Sequence, residues 1–179
     1  MSDVPLVRLR GANDPSPADD PLARQFRVVA VDTPEQRGPE AVSAIERAIE
    51  GRGLTDFDLI ASGDSSAAAL WLALEQPQRV RALVLESPTA IGRDAELERR
   101  LPEITTPTLV MFGTSDRAVV QDTGRVYTKL IPNSHLVFVY DAKETIGRDR
   151  PEAFAEVVAD FLERHEAFII NRTPTVIHP

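Results

Sequence analysis

The sequence contains no cysteine, which excludes disulfides and thiolate chemistry but does not by itself fix a compartment. Histidine is scarce: the three present, His135, His165 and His178, form no HxxxH or HExxH spacing, so neither a metal site nor a cofactor is expected. Clustered basic residues are also missing. Twenty Lys and Arg stand against 28 Asp and Glu, a formal charge of -8, which argues against nucleic acid or an anionic membrane surface as the main partner. No run approaches the roughly 20 apolar residues of a membrane span. The opening Met1-Ser2-Asp3-Val4-Pro5 lacks the basic and apolar regions of a signal peptide, so a soluble acidic protein in the cytoplasm is the expectation. No internal repeat is visible.

What is present is enough for one domain with a sizeable core: 179 residues, 42% of them hydrophobic. Short β-branched and apolar runs alternate with longer helical patterns, as a parallel sheet between two helical layers requires. Strands are predicted at 4–9, 26–31, 57–61, 81–86, 107–112 and 135–140, several of them continuously apolar and therefore buried on both faces. Helices are predicted at about 39–51, 65–76, 118–131 and 151–165, with a shorter one within 93–101. In the closing helix Phe154, Val157, Val158, Phe161 and Leu162 recur at helical spacing, Pro151 suits the first turn, and Asp149 is a candidate cap. The polar, Pro-rich stretch from Gly11 to Asp20 reads as a loop. Residues 1–165 are expected to form the domain and 166–179 a tail. The tail is apolar at Phe168, Ile169, Ile170, Val176 and Ile177, so it must either fold back on its own domain or bury itself against a partner subunit.

The segment from Asp56 to Thr89 (DFDLIASGDSSAAALWLALEQPQRVRALVLESPT) resembles the strand, nucleophile elbow, helix and strand of the α/β-hydrolase superfamily. The turn Gln76-Pro77-Gln78-Arg79-Val80 fixes the register, and counting back from it places Gly63 at the nucleophile. The resemblance extends from Pro5 to Arg164. It implies a three-layer αβα sandwich on a mostly parallel sheet of about six strands in the order 2-1-3-4-5-6, without a cap domain. It also implies that two N-terminal strands of the family are absent, which leaves the strand at 26–31 as an edge.

The same resemblance implies a degenerate site. Ala61, Ser65 and Ser66 keep the elbow's flanking positions small, and Gly63 tolerates its strained backbone, yet glycine carries no nucleophile. Asp116, in Pro107-Thr108-Leu109-Val110-Met111-Phe112-Gly113-Thr114-Ser115-Asp116, matches the family's acid, although it could equally cap a helix entering near Arg117. Glu144 stands where the family's histidine belongs. Arg10-Gly11-Ala12 matches the turn that helps to form the oxyanion hole, with Arg10 in place of a histidine. The expected pocket therefore comprises Arg10, Gly11, Ala12, Ser62, Asp64 and Ser65, with Arg10 paired to Asp64, Asp116 or Glu144 because three carboxylates packed together need a cation.

Ser62, Ser65 and Ser66 have no histidine within reach, and a serine without a base stays protonated and weakly nucleophilic. Asp64 could act as a nucleophile only through a one-residue slip of the elbow. The leading expectation is a non-catalytic binding or interaction protein with a small-molecule ligand and a homodimeric assembly. The alternatives are a hydrolase or lyase built on Asp64, Asp116 and Glu144, or a structural subunit of an oligomer.

Overall fold

The computed structural model describes residues 4–11, 14, 20–116, 121–169 and 175–177. Seven parallel strands form one sheet: β1 (Leu6–Arg10), β2 (Val28–Asp32), β3 (Phe57–Ser62), β4 (Val80–Glu86), β5 (Thr108–Gly113), β6 (Ser134–Val139) and β7 (Thr175–Ile177). Their order is β2-β1-β3-β4-β5-β6-β7. The first six follow the predicted order. The seventh comes from the apolar tail, which folds back on its own domain and pairs with β6 through Val137, Phe138 and Val139. The tail therefore covers the β6 edge, at the far side of the sheet from β2.

Alternation along each strand divides the core into two layers. Val7, Leu9, Leu59, Ala61, Leu83, Leu85, Val110 and Phe112 face one side, where α1 (Pro39–Glu50), α2 (Ser66–Glu75), α3 (Ala95–Arg100) and α4 (Gln121–Leu130) pack. Leu6, Ile60, Ala82, Val84, Leu109, Met111, Val137 and Val139 face the other, under α5 (Ile146–Asp149) and α6 (Pro151–Arg164). Both faces are covered, which is why the central strands tolerate uninterrupted apolar sequence.

The helices follow from their patterns. In α1, Ala41, Val42, Ile45 and Ile49 form a single buried stripe. In α2, every residue from Ala68 to Ala73 is buried, because this helix is enclosed by the sheet, α1 and α3. Helix α6 buries Phe154, Val158 and Phe161 completely, each contributing about 1.5–3 kcal/mol relative to exposure. Pro151 occupies its first turn as expected, but Asp149 does not cap it. Asp149 instead ends α5 and accepts a hydrogen bond from the Lys143 amide at 2.9 Å, since the short helix α5 intervenes. The expected capping role of Asp116 at Arg117 lies outside the described residues.

The loops after β5 and β6 meet backbone to backbone. Ser115 N–H donates to the Ala142 carbonyl at 2.9 Å, Thr114 N–H to the Val139 carbonyl at 3.0 Å, and Asp141 N–H to the Thr114 hydroxyl at 2.9 Å. A methyl group at Gly113 would overlap the Ala142 carbonyl, so only glycine permits this approach.

Candidate functional site

The C-terminal ends of the parallel strands share one edge, and there β3 turns into α2 at Gly63. Gly63 has a left-handed φ of 49°, and a Cβ built on it would meet nothing within 4 Å. Ala61, Ser65 and Ser66 around it are buried and small. The sharp strand-to-helix turn thus has the geometry of a nucleophile elbow, with open space where a side chain would project.

Beside the elbow, on the α1/α2 side, lies a cleft of about 600 Å³, within the usual range for small-molecule sites. Of the expected pocket residues, Gly11, Asp64 and Ser65 line it. Its floor is formed by Ala41, Ala68 and Ala90, all buried. Ser65 is held by the Thr33 hydroxyl, 3.0 Å from its Oγ. Asp64 is exposed; its carboxylate accepts hydrogen bonds from the Thr89 hydroxyl at 2.8 Å and from Arg93 at 2.5 Å. The Thr89 bond above all holds its carboxyl below the ordinary range; burial opposes this, and Arg93 and then the charge of Arg37 add to the lowering.

The far wall is pinned from two directions. The Tyr127 phenol oxygen accepts hydrogen bonds from the Ala90 and Ile91 amides at 2.8 and 3.1 Å, and burial pushes its pKa up to about 12. Asp94 caps α3 through the Leu97 amide and accepts the indole N–H of Trp71 at 3.0 Å. The cleft walls are therefore held in place without a ligand.

The other expected residues are placed elsewhere. Arg10 does not pair with Asp64, Asp116 or Glu144 as anticipated; its ion pair is with Asp32 at 3.4 Å, because the β1/β2 register sets Arg10 opposite Asp32. Glu144 is exposed in the loop before α5, and Asp116 is half-buried after β5. Ala12 lies outside the described residues. Among the described residues no group of three or more His, Asp and Glu side chains could hold a metal ion.

Ser62 turns to the opposite face of the sheet, into a polar network that sequence reasoning missed. Its hydroxyl donates to Glu86 at 2.6 Å, and Arg8 reaches Ser62 at 3.5 Å and Glu86 at 3.9 Å. Arg8 is held by Asp20 at 2.5 Å, while the Gly147 amide donates to the second Glu86 oxygen at 2.8 Å. Arg8, Asp20 and Glu86 are all at most 4% exposed. Burial raises the Glu86 carboxyl above its ordinary value, opposed by Arg8, Ser62 and the Gly147 amide. The only signal in the sequence was a charge inside each of two apolar strands, Arg8 and Glu86. Next to Glu86, Ser87 has a left-handed φ of 43° and a buried hydroxyl without a hydrogen-bond partner among the described residues, a point of strain beside the elbow.

Of the three histidines, His178 lies outside the described residues and the other two lie far from this edge in the fold. His135 sits near the start of β6, 3.1 Å from the Thr175 hydroxyl of β7. His165 follows α6, 4.0 Å from Asp58 near the start of β3.

No protein-family model matches the chain. Over 123 residues it is 31% identical to polyketide synthase ThaQ of Burkholderia thailandensis, a match covering 65% of this chain and 6% of that protein. Among solved structures it is similar to an α/β-hydrolase enzyme from a lagoon-sediment metagenome of Mar Chica, Morocco. There the TM-score is 0.78 at 16% identity, over 91% of this chain and 92% of that one. A carboxylesterase from Bacillus subtilis gives 0.73 at 16% identity over 90% and 85%. The enol-lactonase of Burkholderia xenovorans gives 0.71 at 16% identity over 90% and 92%. No helix among the described residues is long and apolar enough to cross a membrane. With its sheet order, its elbow and these likenesses in agreement, the chain has the α/β-hydrolase fold.

Proposed function

We propose that this protein is a non-catalytic member of its fold class that binds a small molecule in the cleft beside the elbow. The observation that carries the reading is Gly63: the elbow turn is kept, with its left-handed backbone and open space, while the residue at its apex has no side chain to attack a substrate. Glu144, at the position where the family's histidine belongs, is exposed. Asp64, the nearest carboxylate to the elbow, is exposed and engaged by Thr89 and Arg93, which suits a wall residue. The pinned walls keep the cleft open for a ligand, and pre-organisation of this kind favours binding.

The test is an esterase assay with short p-nitrophenyl esters. Loss of nucleophile or base removes about six powers of ten in rate, so no turnover above a heat-treated control is expected. Gly63→Ser alone will not restore it, since the base is missing as well. Turnover that follows the protein peak through chromatography would refute the reading. We also propose a homodimer assembled through the β2 edge, which the tail leaves uncovered.

A further inference from the structure

The polar groups of the cleft carry the reading of a binding site one step further, to the class of ligand. Its lining sets three carboxylates, Glu35, Asp64 and Asp94, against two guanidinium groups, Arg37 and Arg93. Both guanidinium groups act on the same carboxylate: Arg93 bonds to Asp64 at 2.5 Å, and the charge of Arg37 also favours its ionised form. Glu35 and Asp94 have no ion pair among the described residues. The two donors that Asp94 accepts, the Leu97 amide and the Trp71 indole, are neutral and leave its charge in place. A carboxylate also has lone pairs for more than two donors. The formal charge of -8 adds to the same field. A cation is therefore the charge that this cleft favours.

The rest of the lining is rich in hydrogen-bonding groups. Thr33 and Ser65 share one hydrogen bond at 3.0 Å, so one of their two O–H donors is unspent among the described residues. Ser65 is 2% exposed and lies at the elbow end of the cleft. The Gln36 side chain is exposed, with its donors and its carbonyl free among the described residues. Thr89 spends its O–H on Asp64 and keeps its oxygen as an acceptor. An alkyl chain would strip water from these groups without replacing the lost hydrogen bonds, whereas hydroxyl groups both donate and accept. Beneath them the small floor of Ala41, Ala68 and Ala90 offers an apolar seat to the C–H face of a saturated ring.

We propose that the cleft binds an aminated polyol, a hydroxyl-rich ring carrying one ammonium group, with the ammonium met by Glu35 and Asp94 and the hydroxyls by Thr33, Ser65, Gln36 and Thr89. The proposal rests on the reading of the cleft as a binding site. An ammonium group has three donors and no acceptor, which suits carboxylates that come from two separate segments. Arg37 and Arg93 are the competing charges. If they governed the site in place of Glu35 and Asp94, an anionic ring would be preferred.

The test compares glucosamine, glucose, glucuronate and hexylammonium by isothermal titration at about pH 6, where amines are protonated and carboxylates ionised. Fluorescence of Trp71 is a second readout, because its indole is bonded to Asp94 of the cleft wall. Glucosamine is expected to bind with a stoichiometry of one and about tenfold more tightly than glucose, as one charge-assisted contact implies. Hexylammonium, a cation without hydroxyls, should bind more weakly than glucosamine, and glucuronate should not bind. Glu35→Gln should weaken glucosamine about tenfold and leave glucose unchanged. Gln36→Ala should weaken both sugars. Glu35 and Gln36 are exposed, so both variants will fold.

No glucosamine binding, equal binding of glucose or of hexylammonium, preference for glucuronate, or indifference to Glu35→Gln would each overturn the proposal. Binding of another probe in place of glucosamine would overturn the ligand class and leave the cleft standing as a binding site. Turnover of p-nitrophenyl acetate would instead overturn the non-catalytic reading and leave the ligand class standing. The two failures are thus separable.

Discussion

Ser62 and Glu86 face each other across the β3/β4 ladder and are joined by a 2.6 Å hydrogen bond from hydroxyl to carboxylate. The bond lies on the face of the sheet opposite the cleft. It ties the residue before the elbow to a carboxylate that also holds α5 through Gly147 and stands 3.9 Å from Arg8. The elbow is thereby anchored from beneath by a group without solvent access.

Removal of that anchor should be costly. Glu86→Ala leaves Ser62 and the Gly147 amide without their acceptor, and a loss of about 2–3 kcal/mol is expected in urea unfolding at pH 7. The pH dependence has a definite sign. Burial raises the folded-state pKa above the ordinary 4.5, so the contribution to stability is fully present below the unfolded value and is lost as pH rises through the folded value. Glu86→Gln should flatten that slope. An unchanged slope would show that the carboxylate is not strained by its burial.

A second buried carboxylate gives a prediction with a defined window. Asp58 is 2% exposed and its pKa is raised to about 6, mainly by burial, with Arg81 opposing and Asp56 adding to the rise. The stability it contributes is present below 3.8 and disappears as pH climbs to about 6. Asp58→Asn should therefore stabilise the protein at pH 7 by up to about 3 kcal/mol, since each pKa unit is worth about 1.4 kcal/mol, and should make little difference near pH 3. His165, 4.0 Å away, has its own pKa lowered, first by burial and then by Arg81. It is neutral at pH 7 and loses no ion pair. Destabilisation of Asp58→Asn at pH 7 would reject the argument.

The β2 edge yields a prediction about assembly. Val28, Val29 and Ala30 are half-buried at the end of the sheet, and an apolar edge strand invites pairing. Light scattering should give a mass of two chains at micromolar concentration, and Val29→Lys should shift it toward one. A single-chain mass at every concentration, near 20 kDa, would reject the dimer.

The positions of the first six strands were legible from local pattern, chiefly uninterrupted apolar runs, whereas their order and the position of the elbow came from the resemblance over Asp56 to Thr89, carried by an alanine-rich helix and small residues around Gly63. The partners of the charges were not. Arg10 meets Asp32 because of a strand register that no spacing in the sequence reveals. Asp20 reaches Arg8 from the end of a Pro-rich stretch whose composition signals only irregularity. The cleft is likewise a product of four separate segments, the turn after β1, the loop leading into α1, the elbow with the start of α2, and the stretch from Thr89 to Ala95, and only Gly11 and the elbow announced themselves. The tail's apolarity signalled that it must be buried, but not that it would pair with β6, because strand partnership is a property of the assembled sheet.

The seam between the β5 and β6 loops has a mechanical consequence. Three hydrogen bonds, together with the glycine that lets the backbones touch, join the segment bearing Asp116 to the one leading to Glu144. A shift of either loop alone would break these bonds. This rim of the strand-end edge is therefore braced as one unit, and it stands apart from the cleft, whose lining includes none of its residues.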